Sequence, residues 1–161
     1  MQFWCKAEAT AWTWGWTAYV GVWGFIVLLV VAVVAWNRSA ARRAGEAPAP
    51  LHPLFAVGVL ILWLALDWPI GPLGASHLAS VHMLQFLLIG LVAPPLLLRG
   101  ISPAAQATIA NSAIMQQVTS PLFALAIFNV TVLVTHLPFV ADALMPSQLG
   151  SMAIDLAWLV T

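Results

Sequence analysis

The side chains that could hold a metal ion or move a proton are few. Four histidines, five methionines, five carboxylates and one cysteine make up the set. Imidazole and thioether are ligands that copper favours, and imidazole with carboxylate suits zinc or copper. On that chemistry the candidate metal ligands are His82, His136, Met83, Asp155 and His77. His77 and His82 stand five residues apart, about 140° around a helix at roughly 100° per residue. One helix therefore cannot aim both at the same ion. His82 shares its helix face with Gln85 and Phe86. A site has to be assembled from His82 and groups on neighbouring elements, His136 and Asp155 first.

Plainer readings stand beside these. His77 and His52 fit interfacial residues bonded to a carbonyl or a lipid. His136, just before Leu137-Pro138, fits a helix C-cap that bonds the last carbonyls. Asp142 fits a turn or a cap. Asp155 lies about two turns into an apolar segment, where a carboxylate needs a partner or a proton. Cys5 is not read as a ligand, and a lone cysteine excludes a disulfide framework within the chain and a C-x-x-C metal site.

The elements that must position these groups follow from composition. Of 161 residues, 63% are hydrophobic and 6% charged. A soluble domain carries about 25% charged residues, so polar groups cannot cover this one. That excludes an ordinary cytosolic enzyme, and a nucleic-acid partner would need a basic face that the chain lacks. Apolar content also excludes disorder. No nucleophile–base pair, phosphate loop or P-loop lysine is present, so the chain is not read as an enzyme.

The solvent is then the lipid bilayer, and the expected fold is all-α: one polytopic transmembrane helical bundle over residues 1–161. About five spans are expected, at 17–36, 53–68, 77–98, 121–136 and 147–161. Residues 37–50, with Arg38, Arg42 and Arg43, make a cytoplasmic linker. Pro53, Ser102-Pro103, Ser120-Pro121 and Pro146-Ser147 are start signals. Pro69, Gly71, Pro72 and Gly74 predict a turn, with Ser76 capping the third span. Pro94-Pro95 disrupts that span near its end. A short surface helix is expected from Ala104 to Gln117, and Trp4, Trp12, Trp14 and Trp16 form an interfacial belt. The last apolar run continues to Thr161 with no polar tail, which points to a piece of a longer protein.

Charge gives the orientation. Arg38, Arg42, Arg43 and Arg99 fall on one side and Lys6 alone on the other. The positive-inside rule puts the arginines in the cytoplasm and the N-terminus outside. Asp67, His77, His82, His136, Asp142 and Asp155 then share the outer half, with Met83, Met145 and Met152 at similar depth.

The stretch Leu66 to Gly100 reads LDWPIGPLGASHLASVHMLQFLLIGLVAPPLLLRG. It resembles the signature region of the multi-span CtaG family of cytochrome c oxidase assembly factors. Pro69, His82-Met83-Leu84-Gln85, Ala93-Pro94-Pro95-Leu96-Leu97 and Gly100 carry the resemblance. Thr135-His136-Leu137-Pro138, followed by Asp142 and Leu144, carries a second match. The likeness covers about residues 50–161, and its two motifs together are fairly specific. It implies a multi-pass protein of the bacterial plasma (inner) membrane that matures a haem-copper oxidase, with copper supplied or stabilised from the outer side and oxidase subunits as partners. Family members often carry a second histidine four residues after the first, where this chain has Phe86. They also tend to have a histidine early in the next span, where it offers Asp155. The family typically has about seven spans, which again implies further C-terminal spans. The rival reading is a structural scaffold subunit of a respiratory or photosynthetic complex, with His82 and His136 ligating haem or chlorophyll or only hydrogen-bonding. A third is a membrane enzyme or transporter with a proton relay through Asp155 and the histidines.

Overall fold

The structure, a computed structural model, describes residues 2–118 and 120–161. Every regular element among them is helical. The first helix, α1 (Val20–Ala44), starts after extended Tyr19 and runs well past the expected end of the first span. It stops at Gly45, whose φ of 71° only glycine adopts readily and whose N–H bonds the carbonyls of Ala41 and Arg42. The expected linker at 37–50 is therefore helical for its first half. Asn37 explains this. Its amide nitrogen donates to the carbonyl oxygen of Gly100 at 2.6 Å and its amide oxygen accepts from Ser102 N–H at 3.0 Å, so a polar residue is buried without breaking the helix.

Helix α2 (Pro53–Leu66) opens as the sequence predicts, with proline in its first turn and the His52 ring accepting from Leu54 N–H. It ends at Asp67. The predicted turn that follows is instead a short helix, α3 (Ile70–Ser76), entered through a cis Trp68–Pro69 bond. Pro69 and Pro72 fall at its cap and first turn, where no intrahelical donor is missed. Ser76 closes α3 rather than capping the next helix.

Helix α4 (Ala79–Leu98) continues through the two prolines. Pro94 and Pro95 have no N–H to give the preceding turn. The ladder loosens to π geometry over Leu88–Val92, with Ala93 N–H reaching back to the Leu88 carbonyl, and then resumes. The expected surface helix is split into α5 (Pro103–Ala110) and α6 (Ala113–Val118) at Asn111-Ser112. Such residues compete with the helical ladder by bonding locally. Helix α7 (Pro121–Thr135) follows. The loop expected around Asp142 is a helix, α8 (Pro138–Leu144), and α9 (Gln148–Val160) closes the chain with Ser147 accepting from Gly150 N–H.

Membrane-crossing capacity is smaller than the five spans expected. Two helices, α1 at 25 residues and α4 at 20, are long and apolar enough alone. The pairs α2–α3, bent by 42°, and α7–α8, bent by 72°, qualify only when each is counted as one broken span, giving two to four. At 13 residues, α9 reaches only about 20 Å against a hydrocarbon core of about 30 Å.

Helix α2 lies against the second half of α4 at close range. A Cβ on Gly58 would stand 2.8 Å from Leu96 Cβ and 3.0 Å from Leu97 N, the small-residue contact that lets membrane helices approach. The core gathers Leu62, Ala65 and Leu66 of α2, Phe86, Ile89 and Ala93 of α4, and Ile154 and Trp158 of α9. Helix α7 contributes Phe128 and Val132 from its inner face and buries no residue fully.

The bundle has two chemically different ends. Asn37 bonded to Gly100 brings the Arg38 end of α1 to the same end of the bundle as Arg99. At the opposite end, Trp23 Nε1 donates to the buried carboxylate of Asp67 at 2.7 Å. Across that end lies the N-terminal segment, residues 2–19, without regular structure. It is held by Glu8 N–H donating to Ser76 Oγ at 2.9 Å and Ala7 N–H donating to the Met145 carbonyl at 2.8 Å.

Candidate metal-binding site

Two of the predicted ligands meet. His82 sits in the second turn of α4 on the face it shares with buried Gln85 and Phe86. His136 caps the C-terminal end of α7. Their ring centroids are 6.0 Å apart. Trp158 of α9 braces both, 5.4 Å from His82 and edge-on, and 5.9 Å from His136 and stacked. Phe86 closes a third side, 5.7 Å from His136 and 5.3 Å from Trp158. Trp158 is itself oriented, because its Nε1 donates to Thr135 Oγ1 at 3.0 Å while that hydroxyl donates to the Thr131 carbonyl at 2.8 Å.

The nitrogens of the two rings are in different situations. His136 Nδ1 lies 2.8 Å from the Val132 carbonyl oxygen. A carbonyl can only accept, so this nitrogen carries the proton and Nε2 keeps its lone pair. That is the arrangement of a metal-ligating histidine, whose other nitrogen donates to a backbone carbonyl. His82 Nδ1 is buried and has no partner among the described residues. Trp12, Trp63 and Trp68 Nε1 are likewise unpartnered, but an indole N–H only donates, so His82 Nδ1 is the one of the four with a lone pair to offer a ligand.

The spacing fits a shared ion. An imidazole nitrogen binds a metal at about 2 Å, which puts each ring centre about 3 Å from the ion and two facing rings about 6 Å apart. The observed 6.0 Å, with the ring planes at 64°, meets that distance and is equally the spacing of an edge-on ring contact. No group of three or more His, Cys, Asp or Glu side chains able to hold a metal occurs among the described residues. A structural zinc site wants four such ligands. A two-imidazole set walled by aromatic rings suits monovalent copper, which is soft and content with few ligands.

The other predicted ligands lie elsewhere. Asp155 is buried one turn before Trp158 but its carboxylate accepts from Trp4 Nε1 at 2.8 Å. Trp4 is therefore core and not part of an interfacial belt, whereas Trp14 and Trp16 are well exposed. Met83 is about half exposed. His77 packs edge-on against Trp12 at 5.3 Å and lines a polar hollow of about 190 Å³ with Lys6, Glu8, Tyr19 and Trp68. Cys5 is buried, and burial, with the Asp155 charge as second cause, pushes its thiol up to about 12. It stays protonated and inert at neutral pH. Sequence reasoning missed Trp158 as the brace of the pair. Its place at the i+3 position from Asp155 was the available signal.

Residues 27–161 match the family model described as cytochrome c oxidase caa3 assembly factor. No curated protein and no solved structure matches the chain. The N-terminal segment that carries Trp4 lies outside the matched region.

Proposed function

Because the chain belongs to the cytochrome c oxidase caa3 assembly factor family, which spans residues 27–161, we propose that it supports copper supply to a haem-copper oxidase, holding Cu(I) as cargo between His82 and His136. The observation that carries this reading is the orphaned His82 Nδ1, in a ring whose centre is 6.0 Å from a second imidazole with its own Nδ1 on the Val132 carbonyl. Copper supplies the oxidase with its redox metal, and this chain does no chemistry on it. His82 Nδ1 and His136 Nε2 hold the ion. Trp158 and Phe86 wall the pair on two sides with aromatic rings. His136 is exposed while His82 is partly buried, so the ion has an open side from which it enters and leaves.

Arg38 and Arg99 at the far end support a cytoplasmic place for that end by the positive-inside rule. The imidazole pair then opens outward, as copper delivered to the outer side of a bacterial plasma membrane requires. The partner is an oxidase subunit that accepts copper from the exposed His136.

Complementation tests this. In a deletion strain, the wild-type chain is expected to restore the copper-to-haem ratio of the membrane oxidase, while His82→Ala and His136→Ala leave haem in place and copper deficient. Full restoration by both variants overturns the copper reading. Recovery of the chain at fixed stoichiometry in a large complex, with both variants active, favours a scaffold.

A further inference from the structure

Residues 2–26 lie outside the family match, yet their contacts reach the centre of the bundle. Gln148 Oε1, at the start of α9, accepts from the backbone N–H of Phe3 at 2.6 Å and of Trp4 at 3.1 Å. Trp4 then inserts its ring to 1% exposure and donates to Asp155 at 2.8 Å. Gly21 N–H donates to the Phe3 carbonyl at 2.8 Å, which ties the same segment to α1. The segment thus grips α9 at its first turn and again two turns later, from outside the family core.

One turn beyond Asp155, on the same face, stands Trp158, the ring that contacts both imidazoles. Helix α9 is short, 13 residues, and a helix of that length is set by the packing of its buried face and by the bonds at its end. Asp155 cannot be left bare there, since an unpaired buried acid is costly in lipid. An indole is a suitable partner: it offers one donor on a large apolar body and satisfies the carboxylate without adding charge.

We propose that Trp4 is a positioning residue, which through Asp155 fixes the rotation and depth of α9 and so holds Trp158 against the His82–His136 pair. The role assigned to Asp155 is that of an acceptor and not of a metal ligand. The importance of the imidazole pair rests on the copper reading above, but the coupling of Trp4 to α9 does not.

Amide hydrogen exchange of the full chain in nanodiscs, without copper, gives the first readout. Trp4→Phe keeps an aromatic body and removes the donor. It is expected to raise exchange in α9 about 10-fold, the scale of one buried hydrogen bond. Asp155→Asn keeps an acceptor oxygen and is expected to behave like wild type. Asp155→Leu removes it and is expected to match Trp4→Phe, and the two changes together are expected to be non-additive. The second readout is the imidazole nitrogen resonances of His82 and His136, which Trp4→Phe should shift and Trp16→Phe, at an exposed ring, should leave alone. Unchanged exchange in Trp4→Phe overturns the proposal. So does raised exchange with unmoved imidazole signals, which makes Trp4 a fastening only. An Asp155→Asn variant as disruptive as Asp155→Leu also overturns it, because the charge and not the acceptor would then matter. If Trp4→Phe does not fold, the Asn and Leu variants carry the same decision. Loss of copper binding in the wild type would sink the copper reading and leave these exchange results standing.

Discussion

Leucine in place of either His82 or His136 is expected to lower the affinity for Cu(I) at least about 100-fold, beyond the 10–100-fold that loss of a partner behind a metal-bound histidine costs. The two rings stand edge-on at 6.0 Å, and no third His, Cys, Asp or Glu joins a metal-binding group among the described residues. Each variant therefore removes half of the ligand set. Phe86 packs against both His136 and Trp158 and supplies no replacement ligand. Competition with a colorimetric Cu(I) chelator measures the effect. His77→Leu is the control, because His77 stands against Trp12 at the polar hollow. Comparable losses in all three would place the copper elsewhere.

The second large effect concerns the fold. Asp67 is fully buried, and both its oxygens are used: Oδ1 accepts from Trp68 N–H at 2.9 Å and Oδ2 from Trp23 Nε1 at 2.7 Å. It closes α2, starts the turn into α3 and fastens α1 to both. Asp67→Leu strands two part-buried donors, each costing up to roughly 1–3 kcal/mol. A total loss of about 3 kcal/mol is expected in unfolding from mixed micelles. Trp23→Phe removes one of the donors, so the double variant is expected to lose less than the sum of the two single changes. Strict additivity would mean that the Trp23–Asp67 bond contributes nothing.

Much of this was legible in the residues. Lipid as solvent followed from charge scarcity, and the shared end of Arg38 and Arg99 followed from their placement and is met by the Asn37–Gly100 bond. The start signals at Pro53, Ser102 and Ser147 each mark a helix that the structure contains. His82 and His136 were singled out by type and depth, and they converge. What the sequence hid has physical causes. Proline in a first turn costs no hydrogen bond, so Pro69 and Pro72 open a helix where a turn was expected. A π turn absorbs Pro94 and Pro95, so α4 runs on. Helix lengths and the 42° and 72° bends reduced five expected spans to between two and four. Asp155 was legible as a buried acid in need of a partner, but that partner stands 151 residues earlier. No local pattern links Trp4 to it, and a tryptophan near a bilayer has the interface as its ordinary place.

If two imidazoles and nothing else from the chain hold monovalent copper, X-ray absorption of the Cu(I)-loaded protein is expected to show a first shell of two nitrogen scatterers at about 2 Å. The outer-shell pattern of imidazole is expected with no sulfur contribution, and the His82→Leu variant is expected to lose that pattern. A sulfur in the first shell, or three or more nitrogen and oxygen ligands including a carboxylate, would contradict that reading by bringing in Met83, Met152 or Asp155.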